Sequence, residues 1–310
     1  MSNKKFVLFL MGPTASGKSS IAMQLRSYLP IELISVDSAL IYTGMDIGTS
    51  KPNASELKKH PHKLIDIRDP SDFYSVLDFR NDALKAIEEI FNMNKIPCLV
   101  GGTMFYYHVL LNGISYLPKS NIILRNKLLC YKNLYDNNFL HQLLSYLDVQ
   151  TSYKIHVNDT QRLLRALEIC LITGKKMNQL KNKKFFNFPY SVVQIVIIKN
   201  QFCLMRNIER RIYSMLNNGL ELEVRRLFER GDLNLNLPSM RCIGYRQMWL
   251  YFLNKLSYNE MIQKIITATW QLSKRQMTWL KRWNNLNFIY DMDIESCIDI
   301  ILKIISKNKY

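Results

Sequence analysis

The sequence predicts an α/β protein in which helices cover both faces of a parallel sheet. Short apolar runs of strand length alternate with helical segments in the N-terminal part, beginning with Phe6–Met11. This alternation is typical of parallel sheets, whose strands are buried on both faces. A glycine-rich phosphate-binding sequence follows the first run directly. We therefore predict a P-loop NTPase-like parallel sheet flanked by helices, with a helical insertion and a helical C-terminal part.

The elements can be placed in chain order. Apolar runs predict strands at residues 6–11, 32–36, 63–67, 96–100 and 191–199, and helical patterns predict helices at 18–28, 79–91, 160–171 and 259–283. The helix at 160–171 follows two capping candidates, Asn158 and Asp159, and stops before Gly174. The pattern becomes helical and nearly glycine-free after Pro118. We therefore assign residues 1–118 and 185–310 to the core and 119–184 to the insertion.

The charge is strongly positive. Lys and Arg total 42 against 25 Asp and Glu, which gives a formal net charge of +17. Such an excess favours a polyanionic partner, because each neutralised phosphate releases condensed counterions. A lysine-rich solvated surface explains the charge equally well, so composition alone leaves both interpretations open.

Cysteine spacing and hydropathy indicate a cytoplasmic protein. The six cysteines are scattered without a CxxC pair, which argues against a zinc ribbon or a disulfide framework and predicts reduced, mostly buried thiols. The apolar run Phe6–Met11 follows two lysines but is too short for a signal peptide and lacks a cleavage site. No apolar stretch is long enough to span a membrane.

A P-loop sequence is complete at the end of the first predicted strand. It consists of Gly12, Pro13, Thr14, Ala15, Ser16, Gly17, Lys18 and Ser19. The glycines allow a tight loop with inward N–H groups, and the following helix adds its positive N-terminal end. Lys18 can neutralise phosphate oxygens, and Ser19 can bind Mg²⁺. This sequence predicts a phosphate site without saying which phosphate is bound.

The second predicted strand ends at Asp37. Ligands of parallel sheets gather at the carboxyl ends of the strands, so Asp37 should face the phosphate loop. Three roles fit this position: capping a turn, holding Mg²⁺ through water, and acting as a general base. The sequence lacks a strand ending in Asp-Glu and a guanine-specificity motif, so nucleotide cleavage has little support.

Eight segments together resemble bacterial tRNA dimethylallyltransferases. They follow the order of that family and cover most of residues 6–283, with weaker similarity over 119–150 and after 283. The matching segments are GPTASGKS (12–19), ISVDSALIYTGMDIGTSKP (34–52), HKLIDIRDP (62–70), FRNDALKAI (79–87), IPCLVGGT (96–103), NDTQRLLRALE (158–168), SMRCIGYRQMW (239–249) and QLSKRQMTWLKRW (271–283).

The resemblance implies a reaction, its partners and the roles of three residues. The implied reaction transfers a dimethylallyl group from its diphosphate to N6 of the adenosine at position 37 of tRNA. Asp37 then takes the general-base role, Thr103 lies at the acceptor, and Arg211 binds the diphosphate. The base would be flipped out of the anticodon loop. The family further implies Mg²⁺ as cofactor and a monomeric protein.

The resemblance also assigns residues to tRNA binding. Besides Asp37 and Thr103, these are Ser38, Ala39, Leu40, Arg125, Gln161, Arg162, Leu163, Leu164, Arg165, Arg241, Cys242, Ile243, Gly244, Tyr245, Arg246, Lys274, Arg275, Gln276, Met277, Thr278, Trp279, Leu280 and Lys281. Tyr245 is expected to stack on a base and the arginines to bind phosphates. For Trp279 and Trp283 we expect core packing.

Three rival functions remain open on the sequence alone. An adenylate isopentenyltransferase would modify a free nucleotide, but the charge and the basic C-terminal helix favour a macromolecular acceptor. A P-loop small-molecule kinase would consume ATP and form a phosphorylated product. An RNA-binding protein without group transfer would not need Asp37 beside an intact phosphate loop. The role of residues 284–310 cannot be assigned from sequence.

Overall fold

Six of the strands in the described part of the chain form one wholly parallel sheet. The structure, a computed structural model, describes residues 5–115, 117–180, 184–185 and 188–307. The described strands are β1 (Phe6–Met11), β2 (Ile31–Val36), β3 (His62–Lys63), β4 (Ile96–Gly101), β5 (Ile114–Ser115), β6 (Lys184–Phe185), β7 (Ser191–Ile198) and β8 (Asn287–Tyr290). The large sheet has the order β3-β2-β4-β1-β7-β8, and every neighbouring pair is parallel. The predicted P-loop-like parallel sheet is confirmed.

Helices connect the strands. The described α-helices are α1 (Lys18–Leu25), α2 (Ala54–Lys59), α3 (Val76–Asn92), α4 (Met104–Asn112), α5 (Ile122–Leu147), α6 (Val149–Ser152), α7 (Thr160–Thr173), α8 (Met177–Leu180), α9 (Gln201–Asn217), α10 (Leu220–Glu229), α11 (Tyr245–Phe252), α12 (Tyr258–Leu280) and α13 (Ile294–Lys307). Asp159 caps α7 through the N–H of Arg162, and Gly174 ends it in the left-handed conformation, as the sequence predicted. The helix predicted at 79–91 begins earlier, because Ser75 and Asp78 form a capping box.

The third strand is shorter than predicted. Residues 63–67 were expected to continue as a strand, but β3 contains only His62 and Lys63. Leu64 and Asp66 have φ angles of 65° and 54°, which are incompatible with extended pairing. Two helices also end early: α1 at Leu25 and α12 at Leu280.

The C-terminal segment completes the sheet and its core. β8 pairs with β7, and α13 buries Cys297, Ile298 and Ile301 against the apolar face that includes Leu8 and Leu10 of β1. The alternation of buried positions every three or four residues explains why this helix packs on the sheet. Residues 287–307, to which sequence similarity gave no role, therefore contribute a strand to the sheet and a helix to its core.

The chain divides into two compact units. One unit comprises the chain up to Leu110 and from Pro189 onward, and the other is Leu111–Phe188. The second unit extends beyond the predicted insertion, 119–184, at both ends. It contains the antiparallel pair of β5 and β6, and its helices bury a leucine-rich cluster that includes Leu128, Leu140 and Leu163. None of the helices in the described ranges has the length and apolarity that crossing a membrane requires.

A buried carboxylate organises the second unit. Glu168 is fully buried and accepts hydrogen bonds from Ser120 Oγ (2.6 Å) and from the N–H of Asn121. Arg165 forms an ion pair with it at 2.9 Å. Burial alone would raise the pKa of Glu168, but the hydrogen bonds from Ser120, Arg165 and Asn121 outweigh burial and lower the pKa. The carboxylate thus joins the start of α5 to α7.

We predict that Glu168→Gln destabilises the protein by about 1–3 kcal/mol at pH 7, because a buried charge-assisted network is broken. Since the folded-state pKa is lowered, the ionised carboxylate stabilises the fold fully above the unfolded-state pKa. This contribution is lost as the pH falls through the folded-state pKa. Urea unfolding should therefore show a difference at pH 7 that shrinks in acid. A difference that persists in acid, or that equals the effect of Glu88→Gln at an exposed position, would contradict the assignment.

Candidate active site

The phosphate loop connects β1 to α1. A side chain at Gly12 would place its Cβ only 2.5 Å from the carbonyl oxygen of Ile197, so the loop can approach β7 only with glycine at this position. Gly17 has a φ of 88° and precedes α1, which has no side-chain cap. The first N–H groups of an uncapped helix are available to an anion, and the helix dipole favours negative charge there. The backbone thus forms an anion site.

Two cations converge on this loop. Lys18 donates from Nζ to the carbonyl of Pro13 (3.1 Å), and Arg211 of α9 donates from Nη1 to Thr14 Oγ1 (3.3 Å). The second guanidinium nitrogen of Arg211 donates to the carbonyl of Thr49 (3.0 Å). Within the described residues, neither cation has a carboxylate within ion-pair distance.

Burial lowers the pKa of both cations. Burial, followed by the charge of Arg211, lowers the pKa of Lys18 to about 8, and Asp37 opposes this shift. Burial also lowers the pKa of Arg211, and Asp37 again acts in the opposite direction. Asp37 therefore lies within electrostatic reach of both cations. A bound diphosphate would satisfy both charges at once.

Asp37 lies at the carboxyl end of β2, as predicted. Its Oδ1 accepts hydrogen bonds from the N–H groups of Ala39 (2.8 Å) and Leu40 (3.4 Å), which fixes the carboxylate in an Asx turn. Oδ2 has no hydrogen-bond partner among the described residues, so it is the oxygen available to a substrate. The structure therefore shows the turn-capping role, and the free Oδ2 is compatible with either of the other two roles considered from sequence.

Thr103 lies beside Asp37 because β2 and β4 end together. Its Oγ1 accepts from the N–H of Ser38 (3.2 Å), and its N–H donates to the carbonyl of Val36 (3.2 Å). Gly101 pairs with Val36, where a Cβ would lie 2.0 Å from the Val36 carbonyl oxygen. The close approach of the two strand ends therefore requires glycine at position 101.

The segment from Asp46 to Lys51 is held by Glu223, a residue that the sequence did not single out. Glu223 of α10 accepts hydrogen bonds from the N–H groups of Asp46 (2.9 Å), Ile47 (2.7 Å) and Gly48 (3.0 Å). The Tyr245 hydroxyl donates to the same carboxylate at 2.5 Å. No spacing relates Glu223 to this segment, so only the fold could reveal the contact. Because Glu223 binds the backbone immediately before Thr49, it also fixes the position of Thr49, whose carbonyl accepts from Arg211.

Lys51 holds the other end of the same segment. Its side chain is almost completely buried and donates to the carbonyl of Tyr42 (2.8 Å) and to the carboxylates of Asp46 and Asp66, both at 2.5 Å. The two carboxylates and the carbonyl satisfy the buried charge of Lys51, so no ligand is needed to explain a lysine at this position. The matching segment 34–52 was the only sequence signal for it.

The residues assigned to tRNA in the first unit divide into exposed and buried positions. Along α12 and just after it, the exposed residues of this set are Lys274, Arg275, Thr278, Trp279 and Lys281, and the neighbouring Arg282 is exposed as well. Gln276 and Leu280 face the interior. Trp279 is 39% exposed and packs near Phe105 and His108. Trp283 is half-buried against Tyr107. The expectation of core packing is therefore met more closely by Trp283 than by Trp279.

The segment before α11 also divides. Arg241 and Arg246 are exposed, whereas Tyr245 is completely buried. A Cβ at Gly48 would lie 2.6 Å from the Tyr245 ring, so the ring fills space beside Gly48. In this structure Tyr245 is not presented for stacking on a base. It supports the segment bound by Glu223 instead.

In the second unit, the residues assigned to tRNA are also mixed. Gln161 and Arg162 are exposed on the first turn of α7, and Leu163 and Leu164 are buried in the leucine-rich cluster. Arg165 is half-buried and donates to the carbonyl of Pro118 in addition to pairing with Glu168. Arg125 donates to Ser120 Oγ (3.2 Å). The two leucines were assigned only because they lie within a matching segment.

The fold and this site define a class of protein, a P-loop-type enzyme with two cations at the phosphate loop and a carboxylate at the end of β2. A sequence profile described as IPP transferase matches residues 40–283. The chain is 52% identical over 309 residues to the tRNA dimethylallyltransferase of Buchnera aphidicola subsp. Acyrthosiphon pisum strain APS, covering 99% of this chain and 98% of that relative. The chain belongs to the IPP transferase family.

Another relative and two solved structures support the same family assignment. The tRNA dimethylallyltransferase of Buchnera aphidicola subsp. Baizongia pistaciae is 49% identical over 98% of this chain and 95% of its own length. The crystal structure of a Bacillus halodurans tRNA isopentenylpyrophosphate transferase matches with a TM-score of 0.72 at 33% identity, covering 98% of this chain and 96% of that chain. A eukaryotic dimethylallyltransferase acting on tRNA matches with a TM-score of 0.80 at 25% identity, covering 98% and 80%.

We predict that the affinity for inorganic diphosphate decreases as the pH rises through about 8, because the Lys18 amine loses its charge there. Isothermal titration calorimetry without added metal should show this step together with proton uptake above pH 8. Lys18→Met should bind more weakly than the unmutated protein below about pH 8 and should lack the step, since the titrating amine is gone. The ionisation of diphosphate itself is common to both proteins. A step of equal size in the variant would contradict the assignment.

Proposed function

We propose that this enzyme transfers a dimethylallyl group from dimethylallyl diphosphate to the N6 amine of the adenosine at tRNA position 37, releasing diphosphate. The observation that carries the proposal is the convergence of Lys18 and Arg211 on an uncapped phosphate loop within electrostatic reach of Asp37. One half of the site suits a departing diphosphate, and the other half supplies a proton acceptor. A transfer with a diphosphate leaving group needs both.

The chemistry follows from these two halves. The bond between C1 of the dimethylallyl group and the bridging oxygen breaks, and its electron pair leaves with the diphosphate. The lone pair of N6 forms the new bond to C1, and the N6 proton passes to Oδ2 of Asp37. Lys18, Arg211 and the first-turn N–H groups of α1 stabilise the charge that develops on the leaving oxygens. Removal of the proton raises the reactivity of an amine whose lone pair is delocalised into the adenine ring.

The donor set at the loop fits Mg²⁺ as a cofactor. Ser19 is exposed on the first turn of α1, and hydroxyl and phosphate oxygens are ligands that Mg²⁺ accepts alongside water. No cluster of three His, Cys, Asp or Glu side chains occurs in the described chain, so the ion would be held by Ser19 together with substrate oxygens and water. A bound Mg²⁺ would supply further positive charge to the leaving diphosphate.

The acceptor is proposed to be the anticodon stem-loop of tRNA. Two groups of exposed cations support this proposal: Arg241 and Arg246 around α11, and Lys274, Arg275 and Lys281 on α12. The net charge of +17 favours binding to the negatively charged phosphates of RNA. The target base must leave the stack of the loop to reach Asp37. Proteins whose names describe action on tRNA share the whole fold with this chain.

We further propose that the enzyme works as a monomer in the cytoplasm, where tRNA is modified. All six cysteines are free thiols, which suits a reducing compartment. Cys98, Cys170 and Cys297 are buried, whereas Cys130 is exposed, so the thiols are less uniformly buried than the sequence suggested.

We predict that Asp37→Asn lowers the turnover number about 10²–10⁴-fold, because it removes the base. The amide oxygen can still accept from the N–H of Ala39, so the turn and the affinity for dimethylallyl diphosphate should be retained. Asp37→Ala should lose the same activity and the turn. The measurement is transfer of labelled dimethylallyl to unmodified tRNA, with nucleoside mass analysis. Near-normal turnover of Asp37→Asn at saturating substrates would exclude the base role.

We predict that neutralising Lys274, Arg275, Lys281 and Arg282 weakens tRNA binding and lowers the log–log salt slope by roughly 0.7–0.9 for each phosphate that the variant no longer neutralises. Affinity for dimethylallyl diphosphate should be unchanged. A matched control neutralises Lys58, Lys59, Lys303 and Lys307, which are exposed on other helices and change the net charge equally. Equal effects of the two variants would show that only net charge matters.

The acceptor and the donor can be tested with the unmutated protein. The assay compares tRNA with AMP as acceptor and follows ATP during modification. Faster modification of AMP than of tRNA would overturn the acceptor assignment. Stoichiometric ATP hydrolysis would contradict the assignment of dimethylallyl diphosphate as the donor and would favour a kinase.

A further inference from the structure

A buried amide joins the phosphate loop to the end of β4. Gln276 of α12 is only 8% exposed. Its Oε1 accepts from the N–H of Thr14 (2.8 Å), and its Nε2 donates to the carbonyl of Gly102 (2.8 Å). The orientation of the amide is forced, because a backbone N–H can only donate and a backbone carbonyl can only accept. Neither a carboxylate nor a hydroxyl could make both contacts in the same way at neutral pH.

The Gly102 end of this bridge leads directly to Asp37. A Cβ at position 102 would lie 2.5 Å from Nε2 of Gln276, so glycine is required for the amide to reach the carbonyl. The next residue, Thr103, bonds to the backbone on both sides of Asp37, at Val36 and Ser38. Displacement of Gly102 would therefore move the segment that flanks the carboxylate.

The Thr14 end leads to the phosphate site. Because the N–H of Thr14 is bound to Gln276, it is not one of the donors available to a ligand. The hydroxyl of the same residue accepts from Arg211. Gln276 thus fixes the residue that Arg211 contacts, and its own helix carries Lys274 and Arg275 on the exposed side.

We propose that Gln276 is a positioning residue that sets the distance between the leaving diphosphate and the attacking amine. It acts through Thr14 on one side and through Gly102 and Thr103 on the other, without touching either substrate. The inference deepens the proposed function and rests on it. It also replaces a direct tRNA contact, the role that similarity alone assigns to this position.

Gln276→Met tests this role, since methionine has a similar length and removes both hydrogen bonds. The turnover number should fall at least about tenfold, because displacements near 1 Å between reacting groups cost up to about 10²-fold. The affinity for inorganic diphosphate should also fall, by roughly threefold or more, because the loop is no longer fixed. The affinity for tRNA should stay within about twofold. Turnover is expressed per folded molecule, well below the melting temperature of each variant.

Two further variants sharpen the test. Gly102→Ala leaves Gln276 in place but displaces its amide, so it should lower the turnover number in the same direction even if Gln276→Met folds poorly. Gln263→Met makes the same chemical change at an exposed position of α12 and should leave all three quantities unchanged.

The outcomes separate the alternatives. A merely structural role would lower the melting temperature of Gln276→Met while leaving turnover per folded molecule unchanged, and this result would overturn the proposal. Loss of tRNA affinity with normal diphosphate affinity would also overturn it and would indicate a direct tRNA contact. The diphosphate titration needs no acceptor, so it tests the positioning role even if the unmutated protein failed to transfer dimethylallyl to tRNA.

Discussion

The burial of two neighbouring cations, Lys18 and Arg211, at the phosphate loop is the constraint around which the site is organised. Two cations share a partly buried loop without a carboxylate in ion-pair contact in the described chain, which is costly unless an anion neutralises them. Burial, followed by the charge of Arg211, lowers the pKa of Lys18, which is the expected consequence of this cost. The fold must therefore hold both side chains in place before the ligand arrives. The hydrogen bonds of Arg211 to Thr14 and Thr49 serve this purpose.

The surrounding structure fixes Thr14 and Thr49, the two hydrogen-bond partners of Arg211. Thr49 belongs to a segment whose N–H groups bind Glu223, and the same carboxylate accepts from buried Tyr245. Thr14 is fixed by Gln276. Preorganised groups of this kind stabilise developing charge without rearranging during the reaction. The site is thus a set of backbone contacts fixed by buried polar side chains, in which only a few groups face the substrate.

The sequence predicts the parts of this arrangement that depend on local pattern. The phosphate loop, the strand ending at Asp37 and the cap of α7 were predictable because glycine spacing, apolar runs and capping residues act over a few positions. The length of β3 could not be predicted, because Leu64 and Asp66 adopt left-handed conformations that cannot be inferred from their residue types. Arg211 could be placed only through the resemblance. Glu223 and Gln276 act across 175 and 262 positions of the chain, distances over which no sequence pattern operates.

The segments that resemble the family contain both exposed and buried residues, and only the structure distinguishes the two. Within α12, Lys274 and Arg275 face outward, while Gln276 one position later faces the phosphate loop. A helix turns by about 100° per residue, so consecutive residues of one segment necessarily point to different environments. The exposed residues suit contact with RNA phosphates, and the buried one suits control of geometry. A single turn of helix can therefore contact one substrate on its surface while fixing the binding loop of the other from inside. Under the proposed role of Gln276, the physical link between the two substrates is a hydrogen-bonded amide on the helix that also carries the basic surface.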